Sequence, residues 1–192
     1  NERFYFKPGL TWSKRTNWLH FTTLPGGHIF SHEGNGLFPK KTADQWYLLA
    51  LLNSELQKKF VNMICAVHKT PGYVARLPYK DGAPGLRKQL GSAARQAHDL
   101  KAAWDTGNEI CTRFSQPWLL QLTQPESNAF ARGLSPVLEL LGEQAPEVAL
   151  PEPVTLESLL YIVRAIEAVT DARLEALQAE IDEAVYDLYE IS

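Results

Sequence analysis

A pair of basic residues beside an aromatic residue has the chemistry of a nucleic-acid surface. Lys14 and Arg15 follow Trp12 in a stretch between two predicted strands. Lys and Arg bind phosphates and guanine edges, and an indole can pack on a sugar or a base. A second pair, Lys40 and Lys41, directly precedes a predicted helix start, where free N–H groups already favour anions. Ordinary solvated surface charge is the competing interpretation for both pairs.

A group of histidines in the same region suggests a metal site. His20, His28, His32 and Glu33 lie within fourteen residues, and imidazole together with carboxylate can hold zinc or iron. Their spacing matches no standard ligand pattern, so ordinary hairpin histidines are the simpler interpretation. The following tripeptide, 34–36 (GNG), favours a tight turn with positive φ. Its backbone N–H groups could also cradle a phosphate.

The common catalytic and cofactor-binding motifs are absent from the sequence. It contains no GxGxxG, GxxxxGK, HExxH or GxSxG pattern, so no dinucleotide, P-loop, zinc-protease or serine-hydrolase site is indicated. It also lacks the Asn-Pro-Pro-aromatic tetrad of enzymes that methylate a flipped adenine. We therefore expect no catalytic residue and no metal in this chain.

Charge divides the chain into two halves. Residues 1–95 hold fourteen Lys and Arg against five Asp and Glu, a net charge of +9. Residues 96–192 hold five against seventeen, a net charge of −12. The basic half suits a polyanion. The acidic half, which a polyanion would repel, is better suited to structure or to protein contact.

The composition also bears on the cellular setting. Cys65 and Cys111 cannot build a disulfide framework, so we expect a reducing, cytoplasmic compartment. The polar N-terminal sequence is unlike a signal peptide. No apolar run approaches the ~20 residues of a membrane helix, and we expect no membrane partner.

The elements that must position these residues can be predicted from the spacing of apolar and turn-forming residues. Short aromatic or β-branched runs between Gly and Pro in residues 1–40, at 4–6, 10–12, 21–24 and 29–30, predict strands and hairpins. Thr42 and Gln45 match a capping box, and the apolar spacing that follows predicts one helix over about 43–65. A short strand is predicted near 73–75.

The second half of the sequence is predicted to be mainly helical. A helix is predicted over 86–104, and a helical segment over 109–122 is interrupted by Pro117. Gly and Pro in 142–153 predict a linker. Apolar residues in steps of three and four over 155–190 predict a helix-packing seam capped by Thr155, either unbroken or bent into a hairpin near 170–171.

Together these elements predict an α+β fold. Residues 1–85 form a small basic, β-rich module with one helix, and residues 86–192 form an acidic helical spacer that ends in a long helix or hairpin.

Six segments resemble, in this order, the C-terminal region of large adenine-specific DNA methyltransferases. The related enzymes are single-chain restriction–modification enzymes of types IIG and IIL and BREX-like phage-exclusion enzymes. The segments are 6–13 (FKPGLTWS), 24–31 (LPGGHIFS), 48–54 (LLALLNS), 73–78 (YVARLP), 104–109 (WDTGNE) and 181–189 (IDEAVYDLY).

The resemblance implies a target-recognition module with its helical spacer. Such a module binds double-stranded DNA and positions a methyltransferase domain that lies upstream in the same polypeptide. That domain would hold S-adenosylmethionine, so no cofactor is expected in the present chain. Whether the parent enzyme also cleaves DNA stays open. The residues that we expect to contact DNA are Lys7, Trp12, Ser13, Lys14, Arg15, Lys40, Lys41, Lys69 and Arg76.

Two other functions are compatible with the sequence. The acidic helices could form a protein-interaction scaffold. The histidine group could belong to a metal hydrolase, which elemental analysis without stoichiometric metal would exclude. Only the DNA-binding hypothesis predicts affinity for duplex DNA that falls steeply with salt.

Overall fold

The computed structural model describes residues 2–31 and 33–191, and its fold is α+β. A three-stranded antiparallel sheet lies near the N-terminus, with β1 (Gly9–Ser13) in the centre. On either side of it are β2 (Thr22–Leu24) and β3 (Gly34–Leu37). Helices follow the sheet for the rest of the chain.

Eight α-helices are present in the part of the chain that the structure describes. They are α1 (Gln45–Asn53), α2 (Glu55–Ile64), α3 (Pro71–Val74), α4 (Pro84–Trp104), α5 (Trp118–Thr123), α6 (Asn128–Arg132), α7 (Leu134–Leu141) and α8 (Leu156–Tyr189). Single 3-10 turns lie at Glu2–Phe4, Thr42–Asp44, Asp105–Gly107 and Gly142–Gln144. Among the described residues, no helix combines the length and apolar character needed to cross a membrane.

The chain divides into two compact units. Unit 1 comprises residues 1–95 and 178–192, and unit 2 comprises residues 96–177. Helices α4 and α8 each contribute residues to both units. The domain boundary predicted after residue 85 falls inside α4, because that helix begins at Pro84 and continues to Trp104.

The core of unit 1 is built on the inward face of β1. Leu10 is fully buried and Trp12 is 4% exposed, whereas Ser13 is exposed, as the alternation of a half-buried strand requires. Leu51 of α1 and Val185 of α8 are also buried in this unit. Burial of such side chains is the main driving force that holds the sheet in place.

Unit 2 has a separate hydrophobic core formed by α4, α5, α7 and α8. Trp104 stacks on Trp118 with ring centroids 4.5 Å apart. The buried members of this core are Leu100, Ala103, Trp104, Leu122, Leu134, Val137, Leu141, Leu159, Ile162 and Ile166.

The single helix predicted over 43–65 is two helices in the structure. The chain breaks at Ser54, whose ψ of 150° is extended. The Ser54 hydroxyl donates to the Leu51 carbonyl oxygen at 2.8 Å and accepts from the Gln57 N–H at 3.4 Å. Ser54 therefore ends α1 and is the N-cap of α2. Apolar spacing alone did not reveal this break, because both helices continue the same buried pattern.

Two local predictions near these helices were wrong. Thr42 lies in a 3-10 turn and caps no helix with its side chain, since α1 begins at Gln45 without a side-chain cap. The strand predicted near 73–75 is a single helical turn, α3, with Pro71 at its first position. Proline at that position is already set to a helical φ, which favours the turn over a strand.

The C-terminal predictions are confirmed in their main points. Thr155 caps α8, because the Ser158 N–H donates to Thr155 Oγ1 at 3.1 Å and the Thr155 N–H donates to Ser158 Oγ at 3.0 Å. α8 is one helix of 34 residues, about 50 Å long. The hairpin alternative is wrong. The predicted linker 142–153 begins with the 3-10 turn Gly142–Gln144 and carries no regular element over 145–153. The helix predicted over 109–122 is wrong for residues 109–117, because α5 begins only after Pro117.

Candidate nucleic-acid interface

The register of the sheet separates the predicted DNA-binding cations into two groups. Gly9 at the start of β1 is opposite Leu24, and Leu10 is opposite Leu37 at the end of β3. Lys7, which precedes β1, and Lys40, which follows β3, therefore lie at the same end of the sheet. Lys14 follows the other end of β1, about 13 Å away at about 3.4 Å per residue.

An aromatic cluster covers the sheet at the first of these ends. Phe38 stacks on Phe4 with centroids 4.9 Å apart, and it contacts Phe30 at 5.2 Å. Tyr5 meets Phe30 edge to face at 5.4 Å. All four rings are half-buried, so each keeps part of its surface open.

Two glycines make room for this cluster. A Cβ on Gly36 would lie 2.7 Å from the Phe38 ring, and a Cβ on Gly9 would lie 2.9 Å from it. Neither distance is compatible with an ordinary van der Waals contact. The Phe38 ring therefore packs directly on the backbone at Gly9 and Gly36, where any side chain would collide with it.

Four basic residues accompany the aromatic cluster. The Arg3 guanidinium lies 4.7 Å from the centroid of the Phe4 ring, a cation–π contact. Lys7, Lys40 and Lys41 are all exposed, and the Lys7 N–H donates to the Phe4 carbonyl oxygen at 3.3 Å. Glu2, next to Arg3 in the sequence, is also exposed, and Asp44, three residues after Lys41, pairs with Arg87. We call this region the basic aromatic end; it comprises Arg3, Phe4, Tyr5, Lys7, Phe30, Phe38, Lys40 and Lys41.

The second group of cations lies beside a carboxylate. Glu33 Oε1 is 3.5 Å from Lys14 Nζ, and Glu33 Oε2 is 3.5 Å from Arg15 Nε. The backbone holds this arrangement in place, because the Lys14 N–H donates to the Glu33 carbonyl oxygen at 3.0 Å. One carboxylate thus offsets half of the local positive charge. We call this region, with the exposed Ser13 before it, the paired end: Ser13, Lys14, Arg15 and Glu33.

Two predicted DNA-contacting residues are buried and act in the fold instead. Trp12 donates its indole N–H to the Lys69 carbonyl oxygen at 2.8 Å. Lys69 is only 1% exposed. Neither side chain can reach a ligand from this position, so both are removed from the candidate surface.

The Lys69 ammonium group has enough partners to explain its burial. It donates to Asn62 Oδ1 at 2.7 Å, to the Cys65 carbonyl oxygen at 3.2 Å and to the Ala66 carbonyl oxygen. These acceptors lie at or just past the end of α2, where a cation also meets the negative end of the helix dipole. Nothing in the spacing around Lys69 distinguishes it from an exposed lysine, so the sequence carried no signal of this role.

Arg76 is exposed just beyond α3, and its guanidinium lies 5.9 Å from the centroid of the Tyr73 ring. The first residue of α3, Pro71, lines the groove of the basic aromatic end that is described below. Arg76 therefore remains a candidate, five residues along the chain from Pro71.

The histidines do not form a recognisable metal centre in the described part of the chain. His28 Nδ1 faces the carbonyl oxygens of Pro25 and Gly26 at 3.3 and 3.2 Å. Burial, followed by the charge of Lys58, lowers the pKa of His20. Residues 2–31 and 33–191 contain no group of three potential metal ligands. His32 lies outside the described residues.

The glycine-containing tripeptide 34–36 is part of β3 and does not form the predicted turn. Asn35 is opposite Trp12 in the ladder, and Gly36 is opposite Thr11. Neither glycine has a positive φ. The turn prediction was wrong because the tripeptide pairs with β1 in an extended conformation, and Gly36 leaves space for Phe38.

A groove of about 600 Å³ opens beside the aromatic cluster. It is lined by Phe4, Tyr5, Phe30, Ser31, Asn35, Gly36, Phe38 and Pro71. Phe4, Tyr5 and Phe30 were predicted to lie in strands, and none of the four aromatic residues was predicted to be functional. The high density of aromatic residues in 4–38 was the sequence signal that could have identified them.

No protein-family model matches this chain, and no curated protein sequence is significantly similar to it.

Proposed function

We propose that this chain is the DNA sequence-recognition module of a site-specific adenine DNA methyltransferase of the restriction–modification or phage-defence kind. It binds duplex DNA and positions a catalytic domain that lies upstream in the same polypeptide. The ordered resemblance of six segments described above supports the enzyme class. In this proposal the S-adenosylmethionine and the adenine-methylating residues belong to the upstream domain.

The observation that carries DNA binding is the basic aromatic end. Arg3, Lys7, Lys40 and Lys41 lie at one end of a small sheet together with four partly open aromatic rings. Lysine and arginine side chains hold phosphates and set the register on DNA, and neighbouring polar groups read base edges. The net charge of +9 in residues 1–95 adds long-range attraction for the same ligand.

The acidic half of the chain fits a positioning role in this proposal. Its net charge of −12 over residues 96–192 opposes DNA contact. Unit 2 has its own hydrophobic core, and a well-packed helical unit is suited to spacing one module from another.

The first test measures binding to a mixed-sequence 20-base-pair duplex by fluorescence anisotropy between 50 and 200 mM salt. Each phosphate contact contributes about 0.9 to the slope of log affinity against log salt. A triple substitution of Lys7, Lys40 and Lys41 to Ala is expected to reduce that slope by about 2.7. Lys88→Ala is the matched control, because Lys88 is an exposed lysine on α4.

Affinity that does not change with salt would overturn the DNA-binding proposal. So would an equal slope in the triple variant and the wild-type chain. The enzyme class has a separate test in the genome that carries the coding sequence. N6-methyladenine mapping is expected to reveal a recurrent methylated motif that disappears when the region encoding this chain is deleted.

One observation favours a protein-interaction scaffold as the second candidate. Three apolar side chains on the first two turns of α8 are exposed: Leu156 is 61%, Leu160 is 39% and Tyr161 is 75% exposed. Exposed apolar groups of this kind mark interaction sites. Replacing the three with Ser is expected to leave DNA binding unchanged, and under the scaffold hypothesis it would abolish association with a partner protein.

A further inference from the structure

We infer that a pocket in unit 2 binds the phosphate group of a phosphate monoester, with Arg113 and Arg132 holding it. The pocket has a volume of about 530 Å³. All the residues that line it belong to unit 2, so it shares none with the basic aromatic end. The inference therefore goes beyond the proposed function and does not rest on it.

The backbone brings the residues of the pocket together from separate parts of the chain. Thr106 lies in the 3-10 turn that follows α4, and its carbonyl oxygen accepts from the Ser115 N–H at 2.8 Å and from the Gln116 N–H at 3.3 Å. These two bonds hold the loop that carries Arg113 and Ser115 next to the end of α4. Arg132, the last residue of α6, completes the pocket.

The guanidinium of Arg132 is oriented by the fold and keeps free donors. Its Nε donates to the Asn128 carbonyl oxygen at 3.1 Å, and its Nη2 donates to Ser115 Oγ at 3.3 Å. The described residues offer it no further acceptor, so three of the five N–H groups of an arginine remain for a ligand. The Ser115 hydroxyl accepts from Arg132, which leaves its own O–H free to donate.

Arg113 lines the same pocket with its full set of donors. It is exposed, and no described residue accepts a hydrogen bond from it. It precedes Ser115 by two residues, which is at most about 7 Å of chain. Two guanidinium groups therefore meet at one pocket, and the planar fork of each matches the oxygen atoms of a phosphate.

No carboxylate of unit 2 neutralises this pair of arginines. Unit 2, whose residues 96–177 are all described, holds five Lys and Arg against twelve Asp and Glu, a net charge of −7. None of these acidic residues lines the pocket. Asp105 pairs with Lys101 instead, and Glu109 and Glu126 are exposed. In a unit with so many carboxylates, two arginines without one are available for an anionic ligand.

The number of donors favours a phosphate monoester. Its three terminal oxygens can each accept from one of Arg113, Arg132 and Ser115, whereas a carboxylate or a phosphodiester has only two such oxygens. The negative charge of unit 2 also opposes a polyanion such as DNA. Phe114, which is 40% exposed, gives the pocket an apolar side for the group that carries the phosphate. A volume of this size suits a small organic molecule.

The experiment titrates the full chain with adenosine 5′-monophosphate at 100 mM chloride and measures the heat of binding. Saturable binding with a Kd of about 1 mM or below is expected. Adenosine, which lacks the phosphate, is expected to bind at least about tenfold more weakly, because the charge-assisted hydrogen bonds are lost. Inorganic phosphate is expected to bind several-fold more weakly than the monophosphate, because it makes no contact with Phe114.

Two variants test the arginines. Arg113→Gln and Arg132→Gln are each expected to weaken binding of the monophosphate about tenfold. Arg164→Gln is the matched control, because Arg164 is an exposed arginine on α8 outside the pocket, and it is expected to keep the full affinity. Arg113 makes no hydrogen bond within the described residues, so its variant gives a clear result even if Arg132→Gln, which loses two hydrogen bonds, is unstable.

Two results would overturn the inference from the titrations. One is the absence of saturable binding of the monophosphate, and the other is equal affinity in Arg113→Gln and the wild-type chain. The salt dependence of binding to duplex DNA tests the alternative source of a phosphate. It is expected to be unchanged in Arg113→Gln, and a slope lower by about 0.9 would mean that the pocket holds a DNA phosphodiester and that the assignment to a monoester is wrong. The test of the proposed function concerns Lys7, Lys40 and Lys41, so either proposal can fail without the other.

Discussion

The two ends of the sheet in unit 1 contain similar residues in different electrostatic settings. At the basic aromatic end, Lys7, Lys40 and Lys41 are exposed. At the paired end, Lys14 and Arg15 share the carboxylate of Glu33. A basic residue is therefore available to a polyanion only where the fold brings no carboxylate or carbonyl oxygen closer to it.

The aromatic residues differ in the same way. Trp12 is buried against Phe21, with centroids 5.1 Å apart, and its indole N–H is bonded to the Lys69 carbonyl oxygen. Phe38 and Tyr5 are only half-buried and line an open groove. One set of rings stabilises the fold, and the other presents a surface on which a planar ligand can stack.

The largest expected effect concerns the buried cation near the paired end. Lys69→Met keeps the length of the side chain and removes the donor to Asn62, Cys65 and Ala66. We expect a loss of roughly 3 kcal/mol in the free energy of unfolding, because three acceptors lose a charged donor. Chemical denaturation followed by tryptophan fluorescence measures it. DNA affinity is expected to stay unchanged, since Lys69 is not at the surface.

Lys88→Met is the control for that variant, because it makes the same change at an exposed lysine and is expected to cost close to nothing. Equal stability of the two variants would mean that the hydrogen bonds of Lys69 do not support the end of α2.

A smaller effect is expected from crowding the basic aromatic end. Gly36→Ala places a methyl group 2.7 Å from the Phe38 ring, so the ring must shift. We expect a loss of about 1–2 kcal/mol in the free energy of unfolding. Thermal unfolding measures this loss.

Gly34→Ala provides a matched control in the same strand. A Cβ there would meet only Thr11 Oγ1, at 4.0 Å, which is an ordinary contact. Its stability is expected to be unchanged or slightly higher, because alanine reduces the entropy of the unfolded chain. A Gly36→Ala variant as stable as Gly34→Ala would show that the flat packing of Phe38 is not required.

The smallest effect is expected from a substitution that makes the two ends of the sheet more alike in charge. Glu33→Gln removes the charge that Lys14 and Arg15 share, so both cations become available. If the paired end also faces DNA, affinity is expected to rise several-fold at 50 mM salt, and the salt slope by up to about 1.8. Fluorescence anisotropy with the same mixed-sequence duplex measures both quantities.

Glu55→Gln is the control, because Glu55 forms a comparable exposed pair with Lys59, at 3.6 Å. It is expected to leave DNA affinity unchanged. An unchanged slope in Glu33→Gln would place DNA at the basic aromatic end alone.

Local sequence signals predicted the elements whose causes lie within a few neighbouring residues. The seam of α8 and its Thr155 cap, the start of α5 after Pro117 and the strands near 10–12 and 21–24 are all of this kind. The predicted helix over 86–104 also agrees with α4. In each case a cap, a breaker or a regular apolar spacing is sufficient to specify the element.

The wrong predictions share a different cause. The tripeptide 34–36 has the composition of a turn, yet it is a strand because it pairs with β1, and Phe38 packs over Gly36. The Phe4-Tyr5-Phe6 run has the composition of a strand, yet Phe4 ends a 3-10 turn. Long-range packing overrides local preference at these positions.

The sequence by itself determined the α+β class, the long C-terminal helix and the division of charge between the two halves, because composition and periodicity are properties of the chain alone. Only the tertiary structure decided which cations remain exposed, which are paired and which are buried. The partners that decide this, such as Glu33 for Arg15 or the carbonyl oxygens for Lys69, are brought close by strand pairing and turns. A charged side chain is available to a ligand only where the fold places no group of opposite charge close to it, because Coulomb energy depends on the distance between the charges.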